Sequence, residues 1–207
     1  MNQKNSLGID LCFKDLDNPI DLFGEWFKEA KKNEINDPNA LALATADKSG
    51  IPTVRMVLMK NFSNEGFVFY TNFNSKKSFD LKENPNASMC FHWKSLLRQI
   101  RITGKISKVS DEDADEYYKS RSYGSRIGAW ASKQSSKLKN REELLERIAL
   151  MEKKFKSNPP RPAFWGGIRI RPLSIEFWKE GKFRLHEREL WKRLDLDQKW
   201  SIDNLYP

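Results

Sequence analysis

Residues 41–72 read L-A-L-A-T-A-D-K-S-G-I-P-T-V-R-M-V-L-M-K-N-F-S-N-E-G-F-V-F-Y-T-N. Three apolar runs, Leu41–Ala46, Pro52–Lys60 and Phe67–Asn72, are separated by two hairpin-type segments, 47–50 and Asn61–Gly66. Connections this short join antiparallel neighbours, because a parallel pair needs a much longer crossover. The stretch therefore predicts an antiparallel meander. Outward from it, Ala87–Trp93 and Gln99–Lys108 read as two more strands. From Ala163 to Pro207, strand-like runs alternate with turns at Gly166-Gly167, Lys179–Lys182 and Asp195–Gln198.

Helices sit between these runs. Asn18-Pro19 opens one with Leu22, Phe23, Trp26, Phe27 and Ala30 on a single stripe. Ser75–Asn84 is a short helix stopped before Pro85. Ser110 caps another through Ser120, with Asp111, Glu112 and Asp113 in its first turn. Asn140 and Glu143 are a capping pair for Arg141–Lys156. Arg121–Leu138, with Gly124, Gly128 and several serines, shows no clear period. About seven strands and four helices predict a mainly β, α+β chain: an antiparallel barrel or open-sided sheet with helices at its ends. Strand–helix alternation and a Gly-rich phosphate loop are both missing, which excludes a doubly wound nucleotide-binding sheet. Residues 1–17 read as a mobile arm and 18–207 as a single domain.

With 37 Lys and Arg against 28 Asp and Glu, the chain carries +9. Residues 1–40 are acidic, so the basic character belongs to the body and suits anionic partners. Cys12 and Cys90 have no pairing pattern and read as cytosolic thiols. Two histidines, His92 and His186, give no metal set. The first twenty residues lack an apolar signal segment, and no run approaches the ~20 residues that span a bilayer. A cytoplasmic protein without membrane or metal is expected.

Several short constellations stand out. Phe177–Arg188 reads F-W-K-E-G-K-F-R-L-H-E-R, and as a strand it would present Arg184, His186 and Arg188 on one face near Trp178. Such a triplet is either a solvated face or a pocket for an anionic, planar ligand. Arg55 and Lys60 bracket V-R-M-V-L-M-K, either snorkelling or reaching an anion. Lys76 and Lys77 follow hydroxyl-bearing residues at a helix N-terminus, a plausible phosphate seat or a solvated pair. Tyr117, Arg121 and Ser125 are spaced by four, as a site or as a helix surface. Gln134 and Ser135 add donors in a Ser-rich loop.

Together these stretches resemble the pyridoxamine/pyridoxine 5′-phosphate oxidase family. The matching blocks are R-M-V-L-M-K (55–60), F-Y-T-N (69–72), S-R-S-Y-G-S-R-I-G-A-W-A-S-K-Q-S-S (120–136), F-W-G-G (164–167), I-E-F-W (175–178) and R-L-H-E-R (184–188). Six blocks in register, from about Asn18 to Pro207, are far more specific than any one. The resemblance implies an antiparallel split β-barrel homodimer with flavin mononucleotide (FMN) at the subunit interface. It implies oxidation of pyridoxamine 5′-phosphate and pyridoxine 5′-phosphate to pyridoxal 5′-phosphate, with O2 reduced to H2O2. By position, FMN would be held by Arg55, Met56, Val57, Leu58, Met59, Lys60, Tyr70, Thr71, Lys76, Lys77, Gln99, Gln134, Ser135, Trp178 and Arg188. Substrate would meet Lys60, Tyr117, Arg121, Ser125, Arg184, Leu185 and His186, with Arg184 and His186 against its ring as the catalytic pair. Arg184 is a clamp and charge stabiliser, since guanidinium keeps its proton. His186 orients the ring or handles a proton.

The chain departs from the family pattern at Lys76 (commonly Arg), Glu187 (commonly Asp), Ser122 (usually Pro) and Arg126 (usually Gln), which suggests a looser loop after Arg121. Two other readings are weaker. A related flavoprotein with another substrate would not need the phosphate and ring residues. A nucleic-acid binder would gather its cations into one stripe, and these are scattered.

Overall fold

The computed structural model describes residues 12–14 and 16–207. Among these, nine strands form one sheet in which every paired strand is antiparallel. β1 (Ala40–Ala46) and β2 (Pro52–Leu58) make the expected hairpin, with Ala42 opposite Met56. β3 (Asn61–Ser63) and β4 (Gly66–Asn72) make a second. The two hairpins are not adjacent. With β5 (Asn86–Trp93), β6 (Arg98–Lys108) and β7 (Trp165–Lys179), the order is β2-β1-β5-β6-β7-β4-β3. The expected three-strand meander is thus corrected: β4 leaves β2 and pairs with β7. Its burial explains why. Nearly every residue of β4 is buried, so it needs ladder partners on both edges, and the three-residue β3 cannot supply a full one.

Only Met59 and Lys60 separate β2 from β3, yet these strands edge opposite ends of the sheet. The sheet must therefore curl on itself, and the result is an antiparallel split barrel. One face of α1 (Pro19–Asn33), with Leu22, Phe23 and Trp26 buried, packs into the core that the strands line. Phe23 meets Phe62, Phe67 and Phe91 at centroid distances of 4.9, 4.8 and 5.3 Å, tying α1 to three strands. Asn18 accepts from the Ile20 N–H to cap α1, and Pro19 supplies a first position that needs no donor.

α3 (Asp111–Ser120) and α5 (Arg141–Phe155) lie where Ser110 and Asn140 cap them, and α2 (Lys76–Glu83) follows Ser75, whose side chain makes no cap bond. α4 (Tyr123–Ala131) fills part of the stretch that lacked a period. Ser122 caps it, and Ile127 and Ala131 are its buried i, i+4 pair. Gly166-Gly167 is not a turn but the start of the fifteen-residue β7. Pro172 sits within β7 where the β6 register shifts at Thr103/Gly104, a bulge that accommodates the missing N–H. β8 (Glu187–Lys192) and β9 (Ser201–Asn204) extend the far half of β7.

Of the expected arm, Cys12 is buried and its carbonyl accepts from Trp26 Nε1 at 2.9 Å, while Phe13 lies edge-on to Trp26. Residues 1–11 and 15 lie outside the described residues. Among those described, no helix is long and apolar enough to cross a membrane.

Candidate functional site

A cleft of about 800 Å³ opens between β2, β4 and the N-terminal parts of α2 and α4. Two groups of cations face it, and they are built differently.

The first group starts from Arg55 on β2. Its guanidinium donates to the Leu43 carbonyl at 3.1 Å and to Thr45 Oγ1 at 2.7 Å. Beneath it lies Asp80 of α2, fully buried, accepting from Thr45 Oγ1 at 2.7 Å, Thr53 Oγ1 at 3.0 Å and Lys76 Nζ at 2.6 Å. Burial pushes the Asp80 carboxyl up, but the hydrogen bonds from Lys76, Thr45 and Thr53 outweigh it, and the group is held below the usual carboxylate range. Lys76 also reaches Asp47 at 3.3 Å. Lys77 is different. It is buried, and its ammonium donates to Thr71 Oγ1 at 3.1 Å and Ser75 Oγ at 2.9 Å. Burial, then the Arg55 charge, lowers its pKa to about 8. Arg55 and Lys76 share the buried Asp80 carboxylate, Lys76 also takes Asp47, and Lys77 has no carboxylate, so this corner has positive charge to spare for an anion.

The second group rests on aromatic rings. Tyr70 of β4, Tyr117 of α3 and Trp165 of β7 are nearly parallel, with Tyr70–Tyr117 and Tyr70–Trp165 centroids 4.0 and 5.4 Å apart. Arg121, just after α3, lies over Trp165 at 4.6 Å. One terminal nitrogen of Arg121, Nη1, is buried without a hydrogen-bond partner, and among the described residues no carboxylate pairs with this side chain. Lys60 Nζ is 6.0 Å from the Tyr117 ring. Ser125 Oγ accepts from Ser122 Oγ at 2.8 Å. Ser122 thus ties down the loop expected to be looser, and Arg126 is anchored to Asn158 at 2.9 Å.

The glycines after Trp165 make this stack possible. Gly167 pairs with Tyr70 across the ladder, and a Cβ there would lie 2.9 Å from the Tyr70 ring and 2.5 Å from Val109. A Cβ on Gly166 would lie 2.7 Å from the Phe73 ring. The Tyr70 ring lies flat only because β7 has no side chain there.

Most of the expected site residues line this cleft: Arg55, Met56, Val57, Leu58, Lys60, Tyr70, Thr71, Lys76, Lys77, Tyr117, Arg121, Ser125, Gln134 and Ser135. Met59 does not; it is buried in the core. Gln99, Trp178, Arg184, Leu185, His186 and Arg188 gather elsewhere, at the far end of β7. Residues 165 and 178 are 13 strand positions apart, about 40 Å at ~3.3 Å per residue before curvature. The alternation expected of Arg184, His186 and Arg188 is also corrected. Lys182–Arg184 is a 3-10 turn with Phe183 and Arg184 at φ of 57° and 65°, and β8 begins only at Glu187. The turn breaks the two-residue period, so Arg184 is exposed and does not share a strand face with Arg188. His186 lies tilted against Trp178 with ring centroids 4.6 Å apart, and its Nδ1 accepts from the Gly181 N–H at 3.3 Å. Arg188 donates through Nε to Glu176 at 2.9 Å and through Nη1 to the Tyr206 carbonyl at 2.9 Å. Gln99 stands opposite Trp178 on β6.

Sequence reasoning missed Asp80 and Trp165. Asp80 lies four residues after Lys76, a helical pairing distance. Trp165 stood inside the quoted F-W-G-G block without a role.

Residues 27–154 match the family model described as pyridoxamine 5′-phosphate oxidase, and residues 165–207 match one described as a pyridoxine 5′-phosphate oxidase C-terminal dimerisation region. The chain is 58% identical to a pyridoxine/pyridoxamine 5′-phosphate oxidase of Pelagibacter ubique, covering 100% of both chains. It is 54% identical to the protein of that name in Allorhizobium ampelinum, covering 94% of this chain and 95% of that one. Among solved structures, PhzG of Burkholderia lata, in complex with tetrahydrophenazine-1-carboxylic acid, superposes with a TM-score of 0.89 at 30% identity, covering 96% of this chain and 97% of that one.

Proposed function

The chain belongs to the pyridoxamine 5′-phosphate oxidase family, and from that premise we propose that it oxidises pyridoxamine 5′-phosphate and pyridoxine 5′-phosphate to pyridoxal 5′-phosphate, using FMN and dioxygen and releasing hydrogen peroxide, with water consumed and ammonia released when the substrate is the amine. The observation that carries this reading is the pair of anion-seeking cations in one cleft. The Lys77 ammonium is held by hydroxyls alone, and Arg121 keeps a buried nitrogen unpartnered. One phosphate on the cofactor and one on the substrate account for both.

These residues fit the cofactor. Arg55 and Lys77, with Lys76 at the edge, would hold its phosphate, and Thr71 and the Gln134–Ser135 turn add donors. FMN supplies the two-electron redox chemistry when bound. The chain's own residues bind, orient and balance charge. Lys60, Tyr117, Arg121 and Ser125 would grip the substrate phosphate and fix the pyridine ring beside the cleft. Arg184 and His186 would close over that ring. Arg184 supplies a permanent positive charge, and His186, its Nδ1 occupied by the Gly181 N–H, offers Nε2 to substrate.

One chain holds the phosphate grips and the ring residues far apart, so the proposed site is completed by a second copy. Two features support a homodimer: the dimerisation-region match over 165–207, and the β2 face where Val54, Met56 and Leu58 are exposed beside the cleft. Gln99, Trp178 and Arg188 of the second copy would then meet the cofactor. A cytoplasmic setting suits the free thiols Cys12 and Cys90.

The test is turnover. Purified protein with added FMN should convert pyridoxamine 5′-phosphate to pyridoxal 5′-phosphate with one peroxide formed per aldehyde. Flavin-loaded protein that forms no aldehyde from either phosphorylated substrate would refute the proposal.

A further inference from the structure

We propose that Trp165 is a positioning residue for Arg121: its indole holds the guanidinium in place while leaving the N–H donors free for a phosphate. The inference rests on the functional reading above and adds to it a residue outside the set expected from sequence.

A partly buried arginine such as Arg121 is ordinarily fixed by a carboxylate, which satisfies its donors and cancels its charge. Both effects would spoil a phosphate seat. Arg121 is fixed another way. Its guanidinium lies 4.6 Å from the Trp165 ring and 5.7 Å from that of Tyr118, both within cation–π range. An aromatic face attracts the cation through its quadrupole and takes up no N–H. Burial lowers the Arg121 pKa, but a guanidinium stays charged.

Trp165 is itself rigid. It is 6% exposed, stacks on Tyr70 and meets Tyr118 edge-on at 5.1 Å. Its carbonyl accepts from Arg161 Nη1 at 2.9 Å. Arg161 is bound in turn to Asp111 and Asp115 of α3 at 2.7 and 2.6 Å. The helix that leads into Arg121 is therefore tied to the strand that carries its ring, and the ring-to-guanidinium distance is set from both sides.

The test is a double-mutant cycle on flavin-loaded protein, so that the cofactor's own phosphate seat is filled. Wild type, Trp165→Leu, Arg121→Gln and the double variant are compared for the Kd of inorganic phosphate and the KM of pyridoxamine 5′-phosphate. Trp165→Leu should weaken both about tenfold. The double variant should be no weaker than Arg121→Gln alone, because the indole acts through the guanidinium. Trp165→Phe, which retains a smaller ring and keeps the fold if leucine does not, should show a smaller loss that Arg121→Gln again abolishes. KM for unphosphorylated pyridoxamine should not follow the phosphate Kd. Additive losses, or Trp165 variants that bind phosphate as wild type does, would overturn the role. The phosphate cycle decides this whichever way turnover falls: phosphate binding without oxidation would remove the proposed function and still read out Trp165.

Discussion

Two of the expected site arginines rest on β7, one near each end, and they are held by opposite chemistry. Arg121 lies over Trp165 with a nitrogen unpartnered. Arg188 lies against Glu176, buried at 7% side-chain exposure, and its remaining donors reach the Tyr206 carbonyl. Glu176 also binds Arg101 from β6. The carboxylate gives Arg188 a fixed geometry, but it cancels charge and uses N–H groups. The indole gives Arg121 a fixed place and leaves both intact. Arg121 is therefore suited to gripping a doubly charged group, whereas Arg188 is suited to presenting one edge at a set position. The Asp80 corner lies between these extremes: Lys76 is bound by carboxylates and Lys77 by hydroxyls only.

The largest expected effect tests whether the two ends of β7 serve one site across two chains. Arg121→Gln and Arg184→Gln proteins should each be nearly inactive. Co-expressed, they should recover about a quarter of wild-type activity, since half the dimers are mixed and each mixed dimer has one intact site. No recovery would mean that the ends act separately.

Removing the carboxylate should show what Arg188 depends on. Glu176→Ala should cost about 3 kcal/mol in denaturant unfolding, less than for a sealed pair because Arg101 is half exposed. The pH dependence has a definite sign. Burial raises the Glu176 carboxyl, the hydrogen bonds from Arg188 and Arg101 outweigh it, and the net pKa is lowered. Its stabilisation is thus fully present above the unfolded value of about 4.3 and lost as pH falls through the folded one. A Glu176→Gln protein should lose less stability on acidification than wild type.

Gly167→Ala should cost about 2 kcal/mol and displace Tyr70, because the new Cβ would meet Val109 and the Tyr70 ring. Smaller still is the effect of pH on Lys77. Its ammonium deprotonates as pH rises through about 8, so FMN should bind about tenfold more weakly at pH 9 than at pH 7. Lys77→Arg, which keeps its charge, should flatten that slope. Ser122→Ala should cost about 1 kcal/mol by removing the α4 cap.

What was legible in the sequence was local. Asn18, Ser110 and Asn140 announce α1, α3 and α5 because a cap acts within three residues. The β1–β2 hairpin follows from its turn. The transfer of β4 to β7 was not legible, because that pairing spans about a hundred positions and leaves no mark on periodicity. The turn at Phe183–Arg184 was hidden for another reason: its positive φ values fall on residues that rarely adopt them, while Gly181 sits just before. In the cleft, residues such as Lys60, Tyr117 and Arg121 were recoverable as spaced blocks. Trp165 was not, because it acts on a side chain that only the fold brings near, and of Asp80 only the i, i+4 spacing to Lys76 showed, since Thr45, Thr53 and Arg55 reach it through the fold.

The most direct measurement is the visible spectrum of flavin-loaded protein mixed with pyridoxamine 5′-phosphate without oxygen, then opened to air. The account predicts that the flavin bands bleach on mixing and return with oxygen, as pyridoxal 5′-phosphate appears. Flavin that stays oxidised in the presence of saturating substrate would contradict it.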